Sequence, residues 1–139
     1  MNKADLITVR DFAVGDEAFI LSTWLKGLLY GGDQVYRRIP KDIYFSNQHK
    51  LIERILTSPQ AEIRLAVLKE DPDVILGYSV YRVLESAFVL DWVFVKKEWR
   101  GVGIAKSLMP PIVTAVTHLT RIGAGILEKN PKVIFNPYL

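Results

Sequence analysis

The sequence predicts an α/β domain of the α+β kind, with helices set around a mainly antiparallel sheet. Three stretches predict it. From Ala61 the apolar residues take a period of two, with Ile63, Leu65 and Val67 alternating with Glu62, Arg64 and Ala66, the pattern of a half-buried strand. Residues 74–83 and 87–95 follow as two more apolar runs, separated by Leu84-Glu85-Ser86, and successive strands on short connections form an antiparallel meander. Residues 90–108 then pass from strand through a short charged turn to Gly101 and Gly103, and on into a helix.

The remaining elements follow in order. Residues 6–9 are a short β-rich run, and Asp16 stands where an N-cap would open a helix through about Tyr30. Phe19, Ile20, Thr23, Trp24, Gly27 and Leu28 recur at helical steps along one face, and Gly31-Gly32 stops that helix. Residues 32–45 read as irregular, and a second helix is expected over residues 46–56, with Leu51, Ile52, Ile55 and Leu56 inward and Pro59 ending it. Asp71-Pro72-Asp73 is a turn between the first two meander strands. After the glycines, Ile104, Leu108, Ile112 and Val116 lie four apart, with Ala105, Ala115 and Leu119 beside them. Pro110-Pro111 falls in the middle and should kink or break that helix. Gly123 and Gly125 loosen the chain beyond it, Asn130-Pro131 marks a boundary, and Val133-Ile134-Phe135 is expected as a last strand, ended by Asn136-Pro137.

The chain of 139 residues is expected to form a single domain, 1–139. Half its residues are hydrophobic, enough for a packed core. The absence of cysteine excludes disulfides and thiolate metal sites, and His49 and His118 are too few for a histidine-rich metal site, so no metal is expected. The start, Met-Asn-Lys-Ala-Asp, lacks the apolar core of a secretion signal, and no run of about 18 apolar residues exists, so a cytoplasmic protein without membrane contact is expected. A net charge of +3 suits a polyanionic ligand. The basic residues form no stripe with interleaved aromatics, so no nucleic acid is expected as a partner.

Gly101 and Gly103 sit where the chain leaves a strand and enters a helix, a place where free N–H groups and the helix dipole attract an anion such as phosphate. An ordinary tight turn is the alternative. Arg100-Gly101-Val102-Gly103-Ile104-Ala105 fits the signature Q/R-x-x-G-x-G/A, and Val95 ends the preceding strand five residues before the Arg. At these residues the chain resembles the GNAT superfamily of acyl-CoA-dependent N-acyltransferases. The resemblance spans roughly residues 7–137, and its specific part is residues 90–108. It implies a mixed sheet split near Val95, helices on both faces, and acetyl-CoA as co-substrate. The family usually continues past its Asn-Pro turn with a helix and two more strands. This sequence ends at Leu139, so a shortened end is expected. Short proteins of similar look occur among phage genes, which would place this one in the cytoplasm of an infected cell.

The resemblance also suggests roles. The N–H groups from Gly101 through Val102, Gly103, Ile104 and Ala105 to Lys106 would hold the diphosphate, with Arg100 and Lys106 adding charge. Phe94 and Val95 would offer a strand edge to the pantetheine arm, and an N–H near Phe94 would polarise the thioester carbonyl. Asp91, among Val89, Leu90, Trp92 and Val93, is the candidate general base for a primary amine. It could equally face solvent or pair with an Arg. The family often protonates the leaving thiolate from a Tyr in its last helix, and Tyr138 is the residue that could stand near that place. His118 is expected to cap a helix end, His49 to be solvated, and Tyr36 and Tyr44 to be core or rim aromatics that could also line the acceptor pocket.

The acceptor amine, on a small molecule or a protein, is not readable from these residues. Two rival readings keep the fold: a CoA-binding module without catalysis, and an interaction protein that dimerises through the edge of residues 133–135.

Overall fold

A computed structural model describes residues 2–85 and 87–139. Ser86, in the expected connection between the second and third meander strands, lies outside the described residues. Strand β1 (Ile7–Asp11) leads to helix α1 (Glu17–Gly31) and helix α2 (Lys41–Leu56), followed by β2 (Ala61–Leu68), β3 (Ile75–Leu84) and β4 (Ala87–Val95). Helix α3 (Ile104–Leu108), strand β5 (Ala115–Val116), helix α4 (Arg121–Lys129) and strand β6 (Ile134–Phe135) complete the chain. The strands lie in sequence order in one sheet. β1 to β4 form the expected antiparallel meander, while β5 and β6 run parallel to β4 and to each other. The sheet is therefore mixed and mostly antiparallel, with helices on both faces.

The first face is densely packed. α1 buries Ile20, Trp24, Leu28 and Leu29 against Leu65, Val67, Tyr78, Val80 and Trp92. Trp24 and Trp92 stack with centroids 5.5 Å apart and planes 8° from parallel. A Cβ at Gly27 would meet the Trp92 ring at 2.8 Å, so only glycine lets the indole lie this close to α1. The α1 stop at Gly31-Gly32 is as expected, with the Gly32 N–H bonded to the Leu28 carbonyl at 2.9 Å.

Asp16 does precede α1, but its side chain makes no cap bond. Its carboxylate instead receives two guanidinium bonds from Arg10, at 2.7 and 2.8 Å, and the Ala13 N–H at 2.8 Å. The Arg10 hydrogen bonds hold the Asp16 carboxyl below its ordinary range.

α2 begins five residues earlier than the apolar spacing suggests, directly after Pro40. A proline has no N–H to lose at a helix entrance, where the first donors go unused anyway. Tyr44 thereby joins α2, buried, with its hydroxyl donating to the Leu25 carbonyl at 2.7 Å.

The second face departs most from expectation. The helix after the glycines does not extend through Ile112 and Val116; α3 stops at Leu108. Pro110-Pro111 removes two donors, and the chain turns back so that Val116 lies in β5 beside Leu90. Ile104 and Leu108 pack on Ala66 and Leu76, a far smaller cluster than that on the first face. The chain from Gly123 is also more ordered than its glycines suggest. Thr120 caps α4, accepting the Gly123 N–H at 3.0 Å. β6 forms the far edge of the sheet, with Ile134 and Phe135 exposed.

Candidate functional site: a glycine loop at an open strand edge

The site starts where β4 loses a neighbour. β5 pairs with β4 only at Val89 and Leu90, followed by one bond from the Thr117 N–H to the Leu90 carbonyl at 3.2 Å. Beyond that point, among the described residues, nothing in the ladder covers residues 91–95 on this side. Asp91 is the extra residue of a bulge, since Val80 pairs with Trp92 and Tyr81 with Leu90. The Lys96 N–H bonds the Leu76 carbonyl on β3 at 2.8 Å. Alternation along the strand then turns the N–H and C=O groups of Val93 and Val95 to the open side, and those of Phe94 toward β3. Of the two residues expected to present this edge, Val95 does so through its backbone. Phe94 instead packs its ring among Phe19 and Tyr78. Val93, which the sequence reading passed over, takes its place at the edge.

At the end of this edge stands the glycine loop. Gly101 and Gly103 adopt φ of +81° and +88°, where other residues are strained, and a Cβ built on either would meet no atom within 4 Å. No N–H of residues 101–106 donates to a protein acceptor among the described residues. The first intrahelical donor is Ser107, bonded to the Gly103 carbonyl at 3.1 Å. The Ile104 side chain is buried, Val102 packs beside it, Ala105 is half-buried and Lys106 is exposed. The Arg100 Nε donates to the Val95 carbonyl at 3.1 Å, tying the loop to the strand end.

Between the open edge and α4 lies a cavity of about 380 Å³, with Leu90, Trp92, Val93, Val116, Leu119 and Leu127 among its walls. It opens from the notch between β4 and the chain after β5.

Solved structures share the fold. An acetyltransferase of the GNAT family from Staphylococcus aureus is 20% identical over 73% of this chain and 60% of its own, with a TM-score of 0.51. The chain thus spans three fifths of that protein. A Corynebacterium glutamicum protein described as histone acetyltransferase HPA2 and related acetyltransferase is 18% identical over 74% of this chain and 67% of its own, with a TM-score of 0.53. A Clostridium difficile protein described as a possible acetyltransferase is 15% identical over 94% and 79%, also with a TM-score of 0.53. The chain has the GNAT fold. No protein-family model and no curated protein matches it in sequence.

Within this GNAT fold, the chemistry of the notch lies in a chain of hydrogen bonds. Asp91 is 1% exposed. Its carboxylate accepts from Arg82 Nε at 2.8 Å and Arg82 Nη2 at 2.7 Å, and from Thr117 Oγ1 at 2.7 Å. Of the two readings of Asp91, the structure realises pairing with an Arg. Thr117 Oγ1 also lies 2.9 Å from His118 Nδ1, and His118 Nε2 lies 3.1 Å from the Gln48 amide nitrogen.

Counting protons fixes the directions. The single Thr117 hydroxyl proton goes to the carboxylate, which has none to give, so Nδ1 must be the donor to Thr117. Nε2 then accepts from Gln48. His118 is neutral in this arrangement. Burial pushes its pKa down to about 4, outweighing the upward pull of the Asp91 charge. His118 therefore caps no helix; it stands edge-on to Trp24 and Trp92 at the cavity wall.

Sequence reasoning missed Arg82, Thr117, His118 and Gln48 as one set. The signal for Arg82 was present, a charged residue inside an apolar strand one short hairpin away from Asp91. Tyr138, the residue expected near the leaving thiolate, is 94% exposed and does not line the cavity. Leu127 of α4 lines the cavity. Tyr36 and Tyr44 pack edge-on against each other, 6.1 Å between centroids, and are not part of the wall either. Among the described residues no three His, Cys, Asp or Glu side chains stand together as a metal site, and no helix is long and apolar enough to cross a membrane.

Proposed function

We propose that the protein is an N-acyltransferase that takes an acyl group, most simply acetyl, from acyl-CoA and passes it to a primary amine. One observation carries the reading: consecutive unpaired N–H groups at residues 101–106 end an open strand edge that leads into an apolar notch. The donor set fits a CoA. A diphosphate needs several convergent N–H donors and close backbone approach, and the empty space over Gly101 and Gly103 supplies the approach. Lys106, exposed beside the loop, adds charge, while Arg100 fixes the loop against Val95. The pantetheine arm carries two amides, which Val93 and Val95 can pair as an added strand would. An outward N–H flanking Phe94 then points at the thioester carbonyl oxygen and stabilises charge there.

When bound, the CoA thioester supplies the activated acyl carbon. Asp91 enters this proposal as an anchor: it orders Thr117, and through Thr117 it fixes the His118 ring at the wall. Its oxygens already accept from three donors.

The same saturation favours a second reading, a CoA-binding module that transfers nothing. A calorimetric titration with CoA and a transfer assay over a panel of amines separate the two. Binding with product formation is expected; binding without product selects the second reading, and no binding of CoA refutes both.

A further inference from the structure

The polar side chains on the cavity wall, the Trp92 indole N–H apart, already have partners inside the protein. Asp91 is held by Arg82 and Thr117, His118 has both nitrogens bonded, and Thr120 Oγ1 accepts the Gly123 N–H. Asn130 is engaged as well. The rest of the wall is apolar side chain, Met109 among it, together with the outward backbone of Val93. An ammonium ion entering here would exchange its water for apolar surface and would find Asp91, the carboxylate of this wall among the described residues, already neutralised by a guanidinium.

We propose that the acceptor is an amine uncharged at neutral pH and borne on an apolar frame, with an aryl amine as the simplest chemistry that fits. The inference rests on the acyltransferase reading and names its substrate class. The reaction balances without a protein base. The amine lone pair forms the bond to the thioester carbonyl carbon, the C–S bond breaks, and sulfur keeps its electron pair. One N–H proton leaves to water, and the thiolate takes a proton from water, giving an anilide and free CoA thiol. The groups that could titrate around the acceptor are Asp91 from β4 and His118 after β5. Arg82 from β3 faces the first of these and Gln48 from α2 the second. The low His118 pKa keeps the ring neutral across the neutral range, so it offers no counter-charge of either sign.

The test uses two isomers of equal bulk, 4-ethylaniline and 2-phenylethylamine, with the full chain and acetyl-CoA between about pH 6 and 9. An alkyl amine, titrating near 10.4 like lysine, is neutral in only about one molecule in 10³ at pH 7. The aniline is expected to show at least about a hundredfold higher kcat/KM at pH 7 and a flat pH profile, whereas the alkyl amine should gain about tenfold per pH unit. Without any CoA, quenching of tryptophan emission through Trp92 should report aniline binding at least about tenfold tighter than that of its isomer. Equal or better turnover of 2-phenylethylamine at pH 7 overturns the inference. So does equal binding of the two amines, or failure to acylate either while CoA binds. Calorimetry with CoA alone distinguishes the levels: no binding removes the acyltransferase reading itself, while binding with an alkyl-amine preference removes only this inference.

Discussion

The two faces of the sheet are built to different standards. On the α1 and α2 face, large side chains interlock around the stacked Trp24 and Trp92, and buried hydroxyls such as those of Tyr44 and Tyr78 have partners. On the α3 face a small cluster holds α3 down, and at the sheet's open edge beside α4 lies a cavity of about 380 Å³ with Trp92 in its wall. The sheet between them is continuous through β4 and then opens. The first face carries most of the buried core, whereas the open edge leaves a strand side and a row of N–H groups without protein partners among the described residues. Stability should therefore respond most to changes in the α1 and α2 core, and binding to changes along the open edge and its loop.

The largest effect should come from Trp24→Ala. It removes a fully buried indole from the dense face and should cost about 3–5 kcal/mol, read from the denaturant midpoint. Leu127→Ala, at the cavity wall, should cost much less, because the space beside it is already empty. Similar losses for the two would dissolve the comparison. Arg82→Ala attacks the seam between the faces. It strands the Asp91 carboxylate in the interior and should destabilise by about 3–5 kcal/mol. The double variant Arg82→Met with Asp91→Leu should recover most of that loss, and a failure to recover would show that the pair does more than neutralise itself.

A pH effect of intermediate size is expected at His118. Its folded pKa of about 4 lies below the ordinary 6.5, so the unfolded chain takes the proton first. The stability linked to this residue is complete above about pH 6.5 and drains away as pH falls toward 4, amounting to about 3 kcal/mol. The difference between the parent and His118→Asn stability curves should be confined to that window. A difference that is constant with pH would refute the assignment.

The smallest change in stability should come from Gly103→Val. The left-handed backbone at φ +88° costs a Cβ residue roughly 1–2 kcal/mol. CoA affinity should fall by well over tenfold in the same variant, because the added bulk enters space that is now open. Unchanged affinity would separate the loop from binding.

Much of this architecture is legible in the residues, because its signals are local. The alternation of Ile63, Leu65 and Val67 marks β2, and the run from Ala87 to Val95 marks β4 to the residue. The Arg100 to Ala105 pattern locates the loop. The failures have physical reasons too. Ile104, Leu108, Ile112 and Val116 keep a helical spacing that Pro110-Pro111 overrules, so Val116 becomes a strand residue. The start of α2 hid behind Pro40, whose missing donor costs nothing there.

The bulge at Asp91 has no signature in the sequence, yet it decides which strand residues face the notch and moves the outward edge from Phe94 to its neighbours. The Asp91, Thr117, His118 and Gln48 chain joins β4, the segment after β5, and α2. No spacing along a sequence announces a contact made by three separate elements.

The most direct measurement is a ¹H–¹⁵N correlation spectrum of the full chain titrated with CoA. The account predicts that the amides of residues 101–106 shift first and farthest, joined by Val93 and Val95, while those of α2 stay still. Saturating CoA with no shift in the glycine loop, or with shifts confined to another face, would contradict it.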